Sequence, residues 1–179
     1  MTDKDWIYAS FCFASWVKPH FVSVDIQSLG RVEAILDVWE RHFAALYPNF
    51  QTGNYDAALF YTQITAVSRI WTLSGYEILR VIYEQIRHNK VASEFESEFK
   101  HLFWRFTMVR MGIAKYEHAR IKNSTGNPTD IRQIDSDGIV RVGWKVYCKK
   151  TESVLDITRR NLADEFVTTF SYIRKTYQQ

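Results

Sequence analysis

Little in this chain can stop a helix. Only 7 glycines and 3 prolines punctuate 179 residues, about half their usual combined frequency, so turns are few and helices long. The plainest consequence starts at Gly53-Asn54. Asn54 is a good N-cap, Asp56 follows in the first turn, and Phe60, Ile64, Val67, Ile70, Trp71, Ile78, Val81 and Ile82 share one arc as far as about His88. Gly75 is placed to bend so long a helix. On the other face Glu77, Arg80, Glu84 and Arg87 lie three or four apart, the spacing of a solvated ladder of ion pairs.

The same period recurs on either side. Residues 5–17 carry aromatics all round, which favours a short helix central to the core or covered by another subunit. Residues 31–47 place Val32, Ile35, Trp39, Phe43 and Leu46 on one face. Glu33, Asp37, Glu40 and Arg41 lie opposite, and Pro48 closes the segment. Ser93 and Glu96 form a capping box that opens a helix to about Lys122, ended by Asn123-Ser124-Thr125-Gly126-Asn127-Pro128.

Beyond that loop the period changes from helical to alternating. Val140, Val142, Trp144, Val146 and Cys148 alternate with Arg141, Gly143, Lys145 and Tyr147, the pattern of a half-buried strand. Asp137-Gly138 predicts a hairpin turn back to a strand at 131–134. A second turn over 149–152 leads to a strand at 153–157. Thr158 then caps a last helix with a stripe of Leu162, Phe166, Phe170, Ile173 and Tyr177. The fold class is mainly α (α+β): a helical bundle with a small C-terminal antiparallel β-meander and a terminal helix. It reads as a single domain over 1–179, with the helical part at 1–122, a loop at 123–130, and the meander plus terminal helix at 131–179.

Bulk properties narrow the function without choosing it. The apolar run from Trp6 to Val17 is too short to span a bilayer, and Asp3, Lys4 and Asp5 before it lack the positive charge of a signal peptide. Cys12 and Cys148 belong to no CxxC or metal-spaced set. The expectation is a reduced, cytoplasmic chain with no membrane partner. Net charge is +3, and Lys100, Arg105, Arg110, Lys115, Arg120 and Lys122 face one acid, Glu117, between residues 100 and 124. Their five-residue spacing turns each by about 140° from the last, so they form no stripe. The 6 Trp, 10 Tyr and 12 Phe predict a bulky core or a buried partner surface.

Two constellations could carry chemistry. Arg110 and Glu117, seven apart, both point into the apolar arc of their helix. A charge so placed needs a partner or a polar cavity, because desolvating it alone costs several kcal/mol or more. They predict either an ion-pair network that fixes helix register or a binding pocket that includes His118. The second constellation is Arg159-Arg160 at the start of the last helix, where cations oppose the macrodipole. Pairing with Asp156 and Asp164 answers that. Alternatively they join Arg141, Lys145 and Lys149 as an anion or nucleic-acid surface. His20, His42, His88, His101 and His118 include no metal-ligand pair on a helix, and no Walker loop, GxGxxG or GxSxG occurs, so no metal or cofactor is expected. Asp135-Ser136-Asp137-Gly138 lacks the later ligands of a calcium loop and reads as a turn.

The stretch Trp71-Thr72-Leu73-Ser74-Gly75-Tyr76-Glu77-Ile78-Leu79-Arg80, followed by a long basic helix, resembles the all-helical HEPN domains of bacterial defence and toxin systems. Active members of that family carry Arg-x(4–6)-His for RNA cleavage. Here Arg110 to His118 and Arg80 to His88 each have seven residues between. The resemblance therefore implies a non-catalytic or divergent member, and the C-terminal meander lies outside the usual HEPN bundle. The reading is a non-catalytic helical interaction or regulatory domain of bacterial type, acting as a subunit or homodimer. The alternative is a HEPN-like, metal-independent ribonuclease or nucleic-acid-binding protein built on Arg110, Glu117 and His118.

Overall fold

A computed structural model describes residues 2–11, 21–89, 92–115, 129–148 and 152–177. Its elements run α1 (Asp3–Phe11), α2 (Phe21–Gln51), α3 (Tyr55–Asn89), α4 (Glu96–Lys115), β1 (Thr129–Ile134), β2 (Val140–Cys148), β3 (Ser153–Thr158) and α5 (Arg159–Tyr177). The mainly helical class with a small antiparallel sheet before a terminal helix is what the change of period predicts.

α3 is the spine. Asn54 caps it, its Oδ1 accepting from the Ala57 amide at 3.0 Å. On its solvent face Arg80 bridges Glu77 and Glu84 at 2.7 and 2.9 Å. Gly75 lies inside this continuous helix. A Cβ there would meet the Phe106 ring of α4, so the glycine lets the two helices approach.

α2 departs from its expected bounds at both ends. It begins at Phe21, and Pro48 lies inside its last turn rather than beyond it, because only the hydrogen bond to residue 44 is lost there. Termination falls to Gly53, in the left-handed region at φ 83. At the other end Gly30 looks like punctuation but serves as a contact, since the Trp6 ring of α1 packs where its Cβ would be. α1 itself is one-sided. Trp6 and Ala9 are buried, whereas Ile7, Tyr8 and Phe11 are exposed, so the core covers only half of this segment.

α4 is entered through a single 3-10 turn over Ser93–Phe95, with Ala92 left-handed at φ 53. Phe95, Phe99, Leu102, Phe106 and Val109 are buried, as their spacing predicts. The end expected near Lys122 and the loop after it lie outside the described residues.

The sheet has the order β1-β2-β3, antiparallel throughout. Its hairpin turns at Gly138 (φ 76), where the Gly138 amide donates to the Asp135 carbonyl at 2.9 Å. Thr158 and Asn161 cap α5 reciprocally: Thr158 Oγ1 accepts the Asn161 amide at 3.0 Å, and Asn161 Oδ1 accepts the Thr158 amide at 3.0 Å. Leu162, Phe166, Phe170 and Ile173 of α5 are fully buried, and with Trp71, Phe99, Phe106 and Trp144 they form the centre of a continuous apolar core.

Candidate functional site: a buried charge cluster and an open helical groove

The polar face assigned to α2 is half wrong. Glu33 and Glu40 are 3% and 0% exposed, respectively. Seven residues apart on α2, they point inward at the sheet and the start of α5, where two guanidiniums meet them. Arg141 of β2 is 3% exposed and Arg159 is fully buried. Reading β2 by strict alternation put Arg141 outward. In fact Val140, Arg141, Val142, Gly143 and Trp144 are buried in succession, so this central strand is covered on both faces.

Glu40 is the hub. Its Oε2 accepts from Arg159 Nη2 at 2.6 Å and from Arg141 Nη1 at 2.9 Å. Its Oε1 accepts from the Val142 amide at 3.2 Å. That amide lies past the last β2–β3 pair, Gly143 with Thr158, so on this side Glu40 takes the place that a β3 carbonyl would hold. Arg159 Nη1 also donates to Glu33. Arg141 reaches three more carboxylates, Asp37 at 2.8 Å, Asp135 at 2.9 Å and Asp137 at 3.3 Å. Arg160, half-buried at the rim, pairs with Asp164 at 3.1 Å and lies 3.6 Å from Asp37. The cluster thus ties α2 to the hairpin, to β2 and to the first turn of α5.

Burial pushes the Glu40 carboxyl up to about 7, against the opposing pull of Arg141 and the Val142 amide. Burial likewise pushes Arg159 down to about 9, with Arg160 adding to the fall. Asp37, nearer solvent, is raised by its burial but lowered further by hydrogen bonds from Arg41 and Arg141, and the net shift is downward. Every nitrogen of the Arg141 and Arg159 guanidiniums already donates to a carboxyl group of this site. The cluster locks elements together and leaves no free guanidinium donor for an external anion.

That placement corrects the expected anion surface. Arg141 and Arg159 face inward to carboxylates, while Lys145 is exposed and 3.8 Å from Asp156. Lys149 lies outside the described residues. Of the two anticipated pairings, Arg160 with Asp164 forms, whereas Arg159 takes Glu33 and Glu40 in place of Asp156.

Arg110 is half-buried, its guanidinium 4.7 Å above the Tyr76 ring and Nη1 3.5 Å from Met111 Sδ. Among the described residues no carboxylate pairs with it. Tyr76 continues a ladder of rings, Tyr76–Phe103–Tyr83, stacked at 5.3 Å per step, with Arg87 5.8 Å over Tyr83 at the far end. Glu117 and His118 lie outside the described residues.

An open groove of about 560 Å³ runs along the outer side of α2 and α3. Val22, Leu29, Val32, Ile70, Leu73 and Val81 make its apolar lining, and Asp25, Glu77 and Arg80 its rim. Ile70 and Val24 are 63% and 61% exposed, large fractions for aliphatic side chains. Sequence periodicity read Ile70 as core because it sits at the border of the buried arc. Its spacing from Leu59, eleven residues, is the signal of a second apolar stripe.

Among the described residues no group of His, Cys, Asp or Glu could hold a metal ion, and no helix is long and apolar enough to cross a membrane. No protein-family model matches the chain, and no curated protein or solved structure matches it either.

Proposed function

We propose that this protein is a non-catalytic helical interaction domain whose working surface is the outer face of α2 and α3. The observation that carries the reading is the open groove of about 560 Å³. Ile70 of its lining is 63% exposed, and Val24, Ile35, Val38 and Leu59, between 46% and 63% exposed, lie on the same two helices. An apolar cleft between two antiparallel helices fits another helix, whose side chains would enter it every three or four residues. The buried charge cluster serves that role from behind, holding α2 at a fixed angle on the sheet and α5.

The test is chemical cross-linking of the tagged chain in its native cell, comparing wild type with Ile70→Glu. Ile70 is mostly in solvent, so a charge there leaves the fold intact. A stoichiometric partner held by wild type and released by Ile70→Glu is the expected result. Equal retention by both forms, or no stoichiometric partner for either, overturns the reading.

One observation favours a second reading, an RNA-binding or RNA-cleaving site around Arg110, Glu117 and His118. The Arg110 guanidinium is positioned by an aromatic face instead of a carboxylate, which leaves its charge for an external anion. Incubation with labelled RNA tests it. Turnover that Glu117→Gln and His118→Ala abolish supports it, and intact RNA with no retained complex at low salt removes it.

A further inference from the structure

We infer that the partner on the α2–α3 face is a second copy of this chain, the two helix pairs closing into an antiparallel four-helix bundle; this rests on the docking reading above. On α2, Val24, Ser28, Arg31, Ile35, Val38 and His42 are all exposed. Their alternating steps of four and three are the repeat of a coiled-coil seam. On α3, Leu59, Gln63, Ala66 and Ile70 repeat the same steps and are also exposed. A helix pair presenting two parallel seams is matched in period by another such pair.

Geometry makes the face self-complementary. The Leu29 carbonyl accepts from Trp71 Nε1 at 3.0 Å, and the Phe43 and Tyr61 rings are 5.1 Å apart, which fixes the heights of the two helices. Ile35 and Ile70 fall near one height. A two-fold axis between them brings apolar centre to apolar centre. It also sets Asp25 and Glu77, both exposed, at the height of the partner's His42, an exposed donor in either protonation state. Acidic end thus meets imidazole end, twice.

The area is sufficient. From Val24 to His42 the seam runs about 27 Å at ~1.5 Å per residue, and two helices of ~10 Å diameter give roughly 550 Å² per copy. Roughly 1,100 Å² in total passes the ~1,000 Å² that separates specific interfaces from adventitious ones.

Native mass spectrometry and sedimentation of the purified full chain test the inference. The expected species is twice 21.2 kDa, with Ile70→Glu and Val38→Glu each weakening association at least 100-fold while the far-ultraviolet dichroism stays unchanged. A purified chain that remains monomeric at ~100 µM overturns the second-copy inference. A native-cell complex with an unlike protein that Ile70→Glu still releases would then preserve the docking reading alone. A dimer untouched by both substitutions uses some other face and overturns the two together.

Discussion

Replacing Glu40 with alanine strips the charge cluster of its hub. The carboxylate accepts four hydrogen bonds, from Arg159 Nη2 at 2.6 Å and Nε at 3.4 Å, Arg141 at 2.9 Å and the Val142 amide at 3.2 Å. Alanine leaves two guanidiniums buried with too little negative charge beside them, and an amide with no acceptor. Breaking a buried pair in this way costs about 3–5 kcal/mol, because the stranded charge stays desolvated. For a chain of this length each kcal/mol moves the melting temperature by roughly 2–4 °C, so the fall should be on the order of 10–15 °C. Chemical denaturation should show a lower midpoint with an unchanged slope. The same reasoning makes a second, less obvious demand. Removing the whole buried cluster, as Glu33→Leu and Glu40→Leu with Arg141→Leu and Arg159→Met, should recover most of the loss, since no buried charge is then stranded. A Glu40→Ala loss below about 1 kcal/mol, or a quadruple variant weaker than the single one, refutes the argument that desolvated charge is what the cluster balances.

The pH dependence follows from the same group. In the folded chain Glu40 keeps its proton up to about 7, against 4.5 when unfolded. The fold therefore binds more protons across that window, and Glu40's contribution falls as pH rises through it. Glu40→Gln should flatten that part of a stability profile measured by urea titration. Asp37 has the opposite sign: its lowered value stabilises the fold above 3.8 and the benefit is lost as pH falls toward the folded value. Asp37→Asn should therefore shift acid unfolding to higher pH in a dichroism titration. Thr158→Ala removes one half of the cap on α5 and should cost about 1 kcal/mol in the same denaturation assay. Gly75→Ala gains about 1 kcal/mol of helix propensity but drives a methyl at the Phe106 ring, so a net loss of roughly 1–2 kcal/mol is expected by thermal melt.

What sequence reasoning could see was whatever a local rule governs. Asn54, Thr158 and Gly138 act within three or four residues of themselves, and each forms the cap or turn its chemistry predicts. Leu162, Phe166, Phe170 and Ile173, four of the five positions of the α5 stripe, face inward as their spacing predicts, and the Tyr177 side chain lies outside the described residues. Pro48, read as closing its segment, lies inside the last turn of α2 instead. A residue that ends helices in isolation is tolerated when a tertiary contact uses it, or when it costs a single hydrogen bond near an end.

The charge cluster stayed hidden for a deeper reason. Glu33, Asp37 and Glu40 have the spacing of a solvated polar face, and Arg141 has the alternation of an outward strand residue. Each pattern alone is the ordinary signature of exposure. What reverses them is mutual: α2 can bury its carboxylates only where β2 and α5 deliver guanidiniums, more than a hundred residues later in the chain. A hydrophobicity pattern carries no term for a partner that distant. The trace it did leave was Arg159-Arg160 at a helix N-terminus, where the dipole argues against both. Placing Arg159 there is tolerable because two inward carboxylates from α2 compensate it, and those carboxylates are tolerable in the interior because Arg159 and Arg141 are there. The cluster consequently forms all at once or not at all. That cooperativity keeps α2 in one orientation, so that its outer face, exposed at Val24, Ile35 and Val38, is a rigid base for the docking proposed above.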